Sequence, residues 1–145
     1  MRTLLAGALM VLGATSLAGS QTSPPLQVKD QWVRETPNPR STAAYMVLVN
    51  KSDRDVVIVS ASSPAARVAE LHEMALDGTT MRMRRVERIR VPKHSEVALK
   101  PGGLHLMLID LARALPAGDH VVLVLGLDDG RKVEVRAPVR PLGSR

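Results

Sequence analysis

The chain has 145 residues, enough for one ordinary domain and too few for two with separate cores. Apolar residues make up 45% and the formal net charge is +6, so a core can form and wholesale disorder is not expected. There is no cysteine and no phenylalanine, and Trp32 and Tyr45 are the only aromatics, which removes disulfides and thiolate metal centres and argues against base-stacking contacts to nucleic acid.

In chain order, residues 1–20 read as a signal peptide. Arg2 gives the positive start, Thr3 to Leu17 form an apolar stretch, and Ala18-Gly19-Ser20 offers the small residues at which a signal peptidase cuts. Cleavage near Ser20 leaves Gln21 as the mature start and implies a periplasmic protein. The alternative is a retained N-terminal anchor, for which the apolar run is short against the roughly 20 residues of a span. No cysteine follows the run, so it does not read as a lipoprotein leader. Residues 21–25 form a short linker, 26–139 a single domain, and 140–145 a frayed tail, with fraying beginning near Pro138.

Within the domain, short apolar or alternating segments predict strands near 26–35, 42–50, 54–61, 67–76, 79–86, 88–91, 95–100, 104–110, 119–127 and 131–138. Turn chemistry separates them at Thr36-Pro37-Asn38-Pro39, Asn50 to Asp53, Ser62-Ser63-Pro64, Asp77-Gly78, Pro92, Pro101-Gly102-Gly103, Pro116 to Gly118 and Asp128 to Gly130. Many short strands with such turns specify an all-β antiparallel sandwich or barrel. Residues 106–115 have room for one turn of helix, and no longer helical period is present.

Two short clusters mix histidine with methionine. His72-Glu73-Met74 and Met81-Arg82-Met83 flank Asp77-Gly78, a hairpin signal because both positions tolerate positive φ. A two-residue Asp77-Gly78 loop sets His72 opposite Met83, Met74 opposite Met81 and Glu73 opposite Arg82. His72, Met74, Met81 and Met83 then share one side of the ribbon. Farther on, Leu104, Leu106 and Leu108 alternate toward the core, so His105 and Met107 share the other face of their strand. The bend at Pro101-Gly102-Gly103 can bring that strand end beside the hairpin.

Two thioethers and two imidazoles select a soft monovalent ion. Thioether sulfur is polarizable and uncharged and favours Cu(I) over zinc or magnesium, and unlike a thiolate it cannot form a disulfide in an oxidising compartment. One such residue alone would ordinarily be a surface histidine or a core methionine. The reading rests on two same-face pairs that both mix the types. His94 and His120 fall in turns without methionine neighbours and are assigned to the surface, and Met46 to the core. Arg82, Arg84, Arg85, Arg88 and Arg90 form the densest basic cluster, either a solvated face or a rim that steers an acidic partner.

At these residues the sequence resembles the PCu(A)C family of periplasmic copper(I) chaperones. The family signature is His, ten residues, Met, twenty-one residues, then His-x-Met, and His72, Met83, His105 and Met107 have those separations. Trp32-Val33-Arg34, Ala44-Tyr45-Met46 and Pro101 to Leu108 are similar as well, and the likeness covers about residues 26–139. It implies a cupredoxin-like Greek-key antiparallel β-sandwich that holds one Cu(I) through His72, Met83, His105 and Met107 as a monomer. It also implies delivery to the Cu(A) centre of cytochrome c oxidase subunit II, alongside a Sco-type thiol protein. Leu125-Gly126-Leu127 departs from the family where a Phe is expected. Met74 and Met81 remain open as replacements or supports for Met83.

Two other readings compete. One is a periplasmic copper buffer or resistance protein with no dedicated acceptor; the other is a metal-free interaction domain. An enzyme is not expected: there is no nucleophile elbow, no paired catalytic acids and no nucleotide loop.

Overall fold

The computed structural model describes residues 24–144, and every regular element among them is a strand. The ten strands are β1 (Leu26–Arg34), β2 (Ser41–Asn50), β3 (Val56–Ser62), β4 (Ala66–Asp77), β5 (Thr80–Arg85), β6 (Ile89–Val91), β7 (Ser95–Leu99), β8 (His105–Leu111), β9 (His120–Leu127) and β10 (Lys132–Arg140). Each falls where alternation and turn residues placed one. The leader and most of the linker lie outside the described residues.

Seven strands are hydrogen-bonded in the order β4-β8-β2-β1-β10-β9-β3, and β3 returns to β4 at Ala61 and Ala69. The sheet thus closes on itself, which removes most of its free edges. β5, β6 and β7 hang from β4, β3 and β2 as additions to this ring. One ladder departs from the antiparallel expectation: β1 runs parallel to β10 at Val33–Val139 and Arg34–Arg140.

The interior is aliphatic. Leu26, Leu48, Ile58, Leu106, Leu108, Leu123 and Leu125 are each at most 1% exposed, and Met46 lies among them as expected. β10 shows how the sequence does this: Val133, Val135, Ala137 and Val139 face in, while Lys132, Glu134 and Arg136 face water. The departure at Leu125-Gly126-Leu127 fits the same scheme. Both leucines fill the core, and bare Gly126 admits Ser60 of β3, whose Oγ would lie 2.1 Å from any Cβ there.

Two phase changes shape the outer face. β1 carries an extra residue between Lys29 and Trp32, with Asp30 at φ 54°. Leu26 and Val28 face the core before this bulge, Val33 after it, so Trp32 turns outward beside Tyr45. Asp110, also at φ 54°, shifts β8 so that Leu111 follows Leu106 and Leu108 inward. That strand occupies residues expected to have room for a helical turn, because alternating leucines have a sheet to pack against. Two smaller expectations also fail. β10 continues through Arg140, paired to β9 and β1, so Pro138 to Arg140 do not fray. His120 is exposed but opens β9 opposite Pro138 instead of lying in a turn.

Candidate metal centre

The site is built where β4, β5 and β8 meet. β4 and β8 are antiparallel neighbours, and His72 and His105 are direct Cα partners across them, with ring centroids 5.8 Å apart. On the other side of β4, the β4–β5 hairpin turns one residue later than expected, which slips the cross-strand pairing by two. Asp77 pairs with Thr80, so Gly78-Thr79 is the loop, with Gly78 at φ 65°. A turn with glycine at its first central position needs positive φ only there, whereas an Asp77-Gly78 loop would have forced Asp77 to positive φ as well.

The two-residue slip keeps every side chain on its expected face and changes its partner. His72 faces Arg85, Met74 faces Met83, Leu76 faces Met81, and Glu73 faces Arg84 instead of Arg82. Met83 still reaches the centre, with its Sδ 3.1 Å from His105 Nε2. Met74, Met83, His105 and Met107 line one cavity of about 420 Å³ together with Tyr45 and Gly102. His72 does not line this cavity; its ring lies beside that of His105. Met81 lies farther out toward the hairpin tip and does not line the cavity.

Hydrogen bonds fix the tautomer of each imidazole. His105 Nδ1 lies 3.0 Å from the Gly103 carbonyl, which can only accept, so Nδ1 carries the proton and Nε2 keeps its lone pair. That lone pair faces the Met83 sulfur, which is also a lone-pair donor. His72 Nε2 lies 2.8 Å from Glu70 Oε2, so in the neutral ring Nε2 donates and Nδ1 holds the lone pair. His72 Nδ1 is buried and has no hydrogen-bond partner. A buried polar atom left unpaired costs about 1–3 kcal/mol. Two lone pairs and facing thioethers, with no proton among them, are what a soft cation would satisfy. The donor set therefore fits Cu(I), with His72 contributing through Nδ1 and His105 through Nε2.

Several neighbours were not singled out for the site by their sequence positions. Glu70 sits two residues before His72 on the same face of β4 and holds its ring, while Arg85 stands 3.8 Å from the same carboxylate. The i, i+2 spacing was the available signal. Tyr45 lines the cavity and packs on Trp32 at 4.7 Å and toward His105 at 6.4 Å, and Arg34 and Arg140 cover the two rings at 5.4 and 5.8 Å. Burial pushes the Tyr45 hydroxyl above its usual range, opposed by the nearby Arg34 charge. Only the β1 bulge brings Trp32 here, and that bulge has no plain sequence mark.

The basic cluster is largely internally compensated. Arg84 pairs with Glu73 at 2.6 Å, Arg82 with Asp77 at 3.0 Å and Arg90 with Asp55 at 2.6 Å. Among the described residues Arg88 makes no ion pair. His94, held by Asp53 at 2.7 Å, and exposed His120 both lie away from the centre.

Comparison with known proteins agrees with this architecture. The fold is that of PCuAC domains, a cupredoxin-like all-β fold: the copper-bound PCuAC domain from PmoF2 superposes with a TM-score of 0.69 at 24% identity, covering 81% of this chain and 94% of that one. The CuI-DR1885 solution structure from Deinococcus radiodurans is 35% identical, covering 85% of this chain and 83% of that chain, with a TM-score of 0.62. The resemblance drawn from the spaced motif therefore holds. A family model described as "Putative lipoprotein LpqE-like" matches residues 26–139, and the chain belongs to that family. A relative from Leifsonia xyli subsp. xyli (strain CTCB07), described as "Putative lipoprotein Lxx21020", is 30% identical over 137 residues, covering 94% of this chain and 82% of its own length.

Proposed function

We propose that the protein is a Cu(I) metallochaperone of the cell envelope, holding one ion through His72, Met83, His105 and Met107. The observation that carries this reading is the pair of fixed tautomers: each ring has spent its proton on an oxygen acceptor, leaving His72 Nδ1 buried without a partner and the His105 Nε2 lone pair facing the Met83 sulfur. The similarity to a protein solved as its CuI form supports the choice of ion. Neutral ligands bind a monovalent ion without burying net charge beyond the ion's own, and no thiolate is present to hold it irreversibly.

Release proceeds by ligand exchange. Met83 is 48% exposed on the outer strand β5, so an incoming thiolate can reach the ion from that side while the buried His105 retains it. The ion stays cuprous throughout and one ligand replaces another. The acceptor proposed is the Cu(A) domain of cytochrome c oxidase subunit II, with a Sco-type thiol protein alongside, and the site of action is the periplasm after removal of residues 1–20. Because the arginines near β5 are mostly paired within the chain, steering by charge is a small contribution to this docking. A copper buffer without a dedicated acceptor would show the same binding and no directed transfer.

An anaerobic Cu(I) competition titration tests the site. The purified protein should bind one equivalent, and His72→Ala, Met83→Leu, His105→Ala and Met107→Leu should each bind far more weakly. Equal retention by these variants would overturn the assignment. Transfer to an apo Cu(A) domain tests the acceptor separately.

A further inference from the structure

Five large apolar side chains are exposed among the described residues, and three of them, Leu76, Met81 and Met83, stand on one face of the β4–β5 hairpin. Exposed methionines on an edge hairpin contribute nothing to a core. Leu76 is 70% exposed, and Met81 and Met83 are each 48% exposed. Register places Met74 directly across from Met83 and Met81 one same-face step nearer the tip. Directly opposed Cβ atoms lie about 4.5–5.5 Å apart and diagonal ones about 7–8 Å, within reach of three flexible thioether arms. The backbone beneath is tied down, since the Met74 N–H donates to the Gly103 carbonyl that also holds His105.

We propose that Met74, Met81 and Met83 form a second, outer station for a soft monovalent cation, through which Cu(I) enters and leaves the inner centre. The inference rests on the Cu(I) reading of that centre and adds a route to it. Met83 belongs to both ligand sets. An ion held by three thioethers at the outer station therefore reaches His72, His105 and Met107 by exchanging Met74 and Met81 for imidazoles, without ever losing Met83. Thioethers are weaker donors than imidazoles, so the outer station is occupied in passing and the inner one at rest. Its oxidation state and net charge are unchanged at each exchange.

The test uses Cu(I) under argon and proteins carrying carbon-13 in the methionine methyl groups. Cu(I) is diamagnetic, so the methyl signals survive binding. In His72→Ala/His105→Ala the Met74, Met81 and Met83 methyls should shift together on adding Cu(I), with weak affinity, and the added Met81→Leu should remove that response. In the otherwise wild-type chain, Met81→Leu should slow Cu(I) transfer to a dithiol chelator several-fold. Met81 is exposed, so this variant folds. A Met81 methyl that stays unmoved in the folded histidine double variant would overturn the outer station. So would a Met81→Leu transfer rate equal to wild type. If wild type itself bound no Cu(I), the chaperone reading would fail instead, so the two failures are distinguishable.

Discussion

The closed ring of seven strands and the β4–β5 hairpin attached to it obey opposite rules. In the ring, aliphatic side chains face inward at near-zero exposure and charged residues face water, as β10 shows residue by residue. On the hairpin, all six residues of β5 are exposed and its methionines stand in solvent. Burial free energy explains the first arrangement. It cannot explain the second, because an exposed thioether gains nothing from hydrophobic transfer; ligand chemistry does. His105 links the two regions: its strand neighbours Leu106 and Leu108 belong to the ring, and its own ring faces the hairpin.

Truncation should separate them. Leu108→Ala, wholly within the ring, should cost about 2–5 kcal/mol in denaturant unfolding. That is a large share of the roughly 5–15 kcal/mol typical of a domain. Met83→Leu on the hairpin should leave the unfolding midpoint nearly unchanged and sharply reduce Cu(I) affinity. A Met83→Leu chain as unstable as Leu108→Ala would erase the distinction.

Between these extremes stands Glu70, which touches no proposed ligand atom but holds the His72 ring. Glu70→Gln should lower Cu(I) affinity by about 10–100-fold, the usual consequence of losing an outer-shell carboxylate. The metal-free protein should show the change too: nitrogen-15 spectra of the His72 ring should lose the population with the proton fixed on Nε2. An affinity loss with an unchanged tautomer would refute the positioning role.

The smallest effects concern pH. Burial raises Tyr45 first, against the opposing charge of Arg34, so Tyr45 favours folding below its unfolded value near 10 and loses that contribution as pH rises through the folded value. Tyr45→Phe should therefore flatten the alkaline limb of a stability–pH curve. Asp55, on the loop before β3, is held low by the Lys93 backbone N–H and then by Arg90. Its contribution is present above about 3.9 and lost as pH falls through the folded value. Asp55→Asn should approach wild-type stability in acid and fall below it near neutrality.

How much was legible in the sequence follows the same division. Strand positions were readable because alternation and turn residues are local signals, and the same-face grouping of His72, Met74, Met81 and Met83 survived the hairpin slip because the slip was two residues, one full period of a strand. The cross-strand partners were not readable, since Asp77-Gly78 and Gly78-Thr79 loops differ only in where positive φ is required. Trp32 beside Tyr45 was hidden for a different reason: the bulge at Asp30 inverts the inside–outside pattern halfway along β1. The parallel β1–β10 ladder and the Glu70–His72 bond both depend on tertiary closure, which no local pattern encodes.

The most direct measurement is X-ray absorption at the copper edge on protein loaded anaerobically with one equivalent of Cu(I). Two nitrogen and two sulfur neighbours are expected, with one sulfur lost in Met83→Leu and one nitrogen in His72→Ala. An all-sulfur or all-nitrogen first shell, or one that neither substitution alters, would contradict the account.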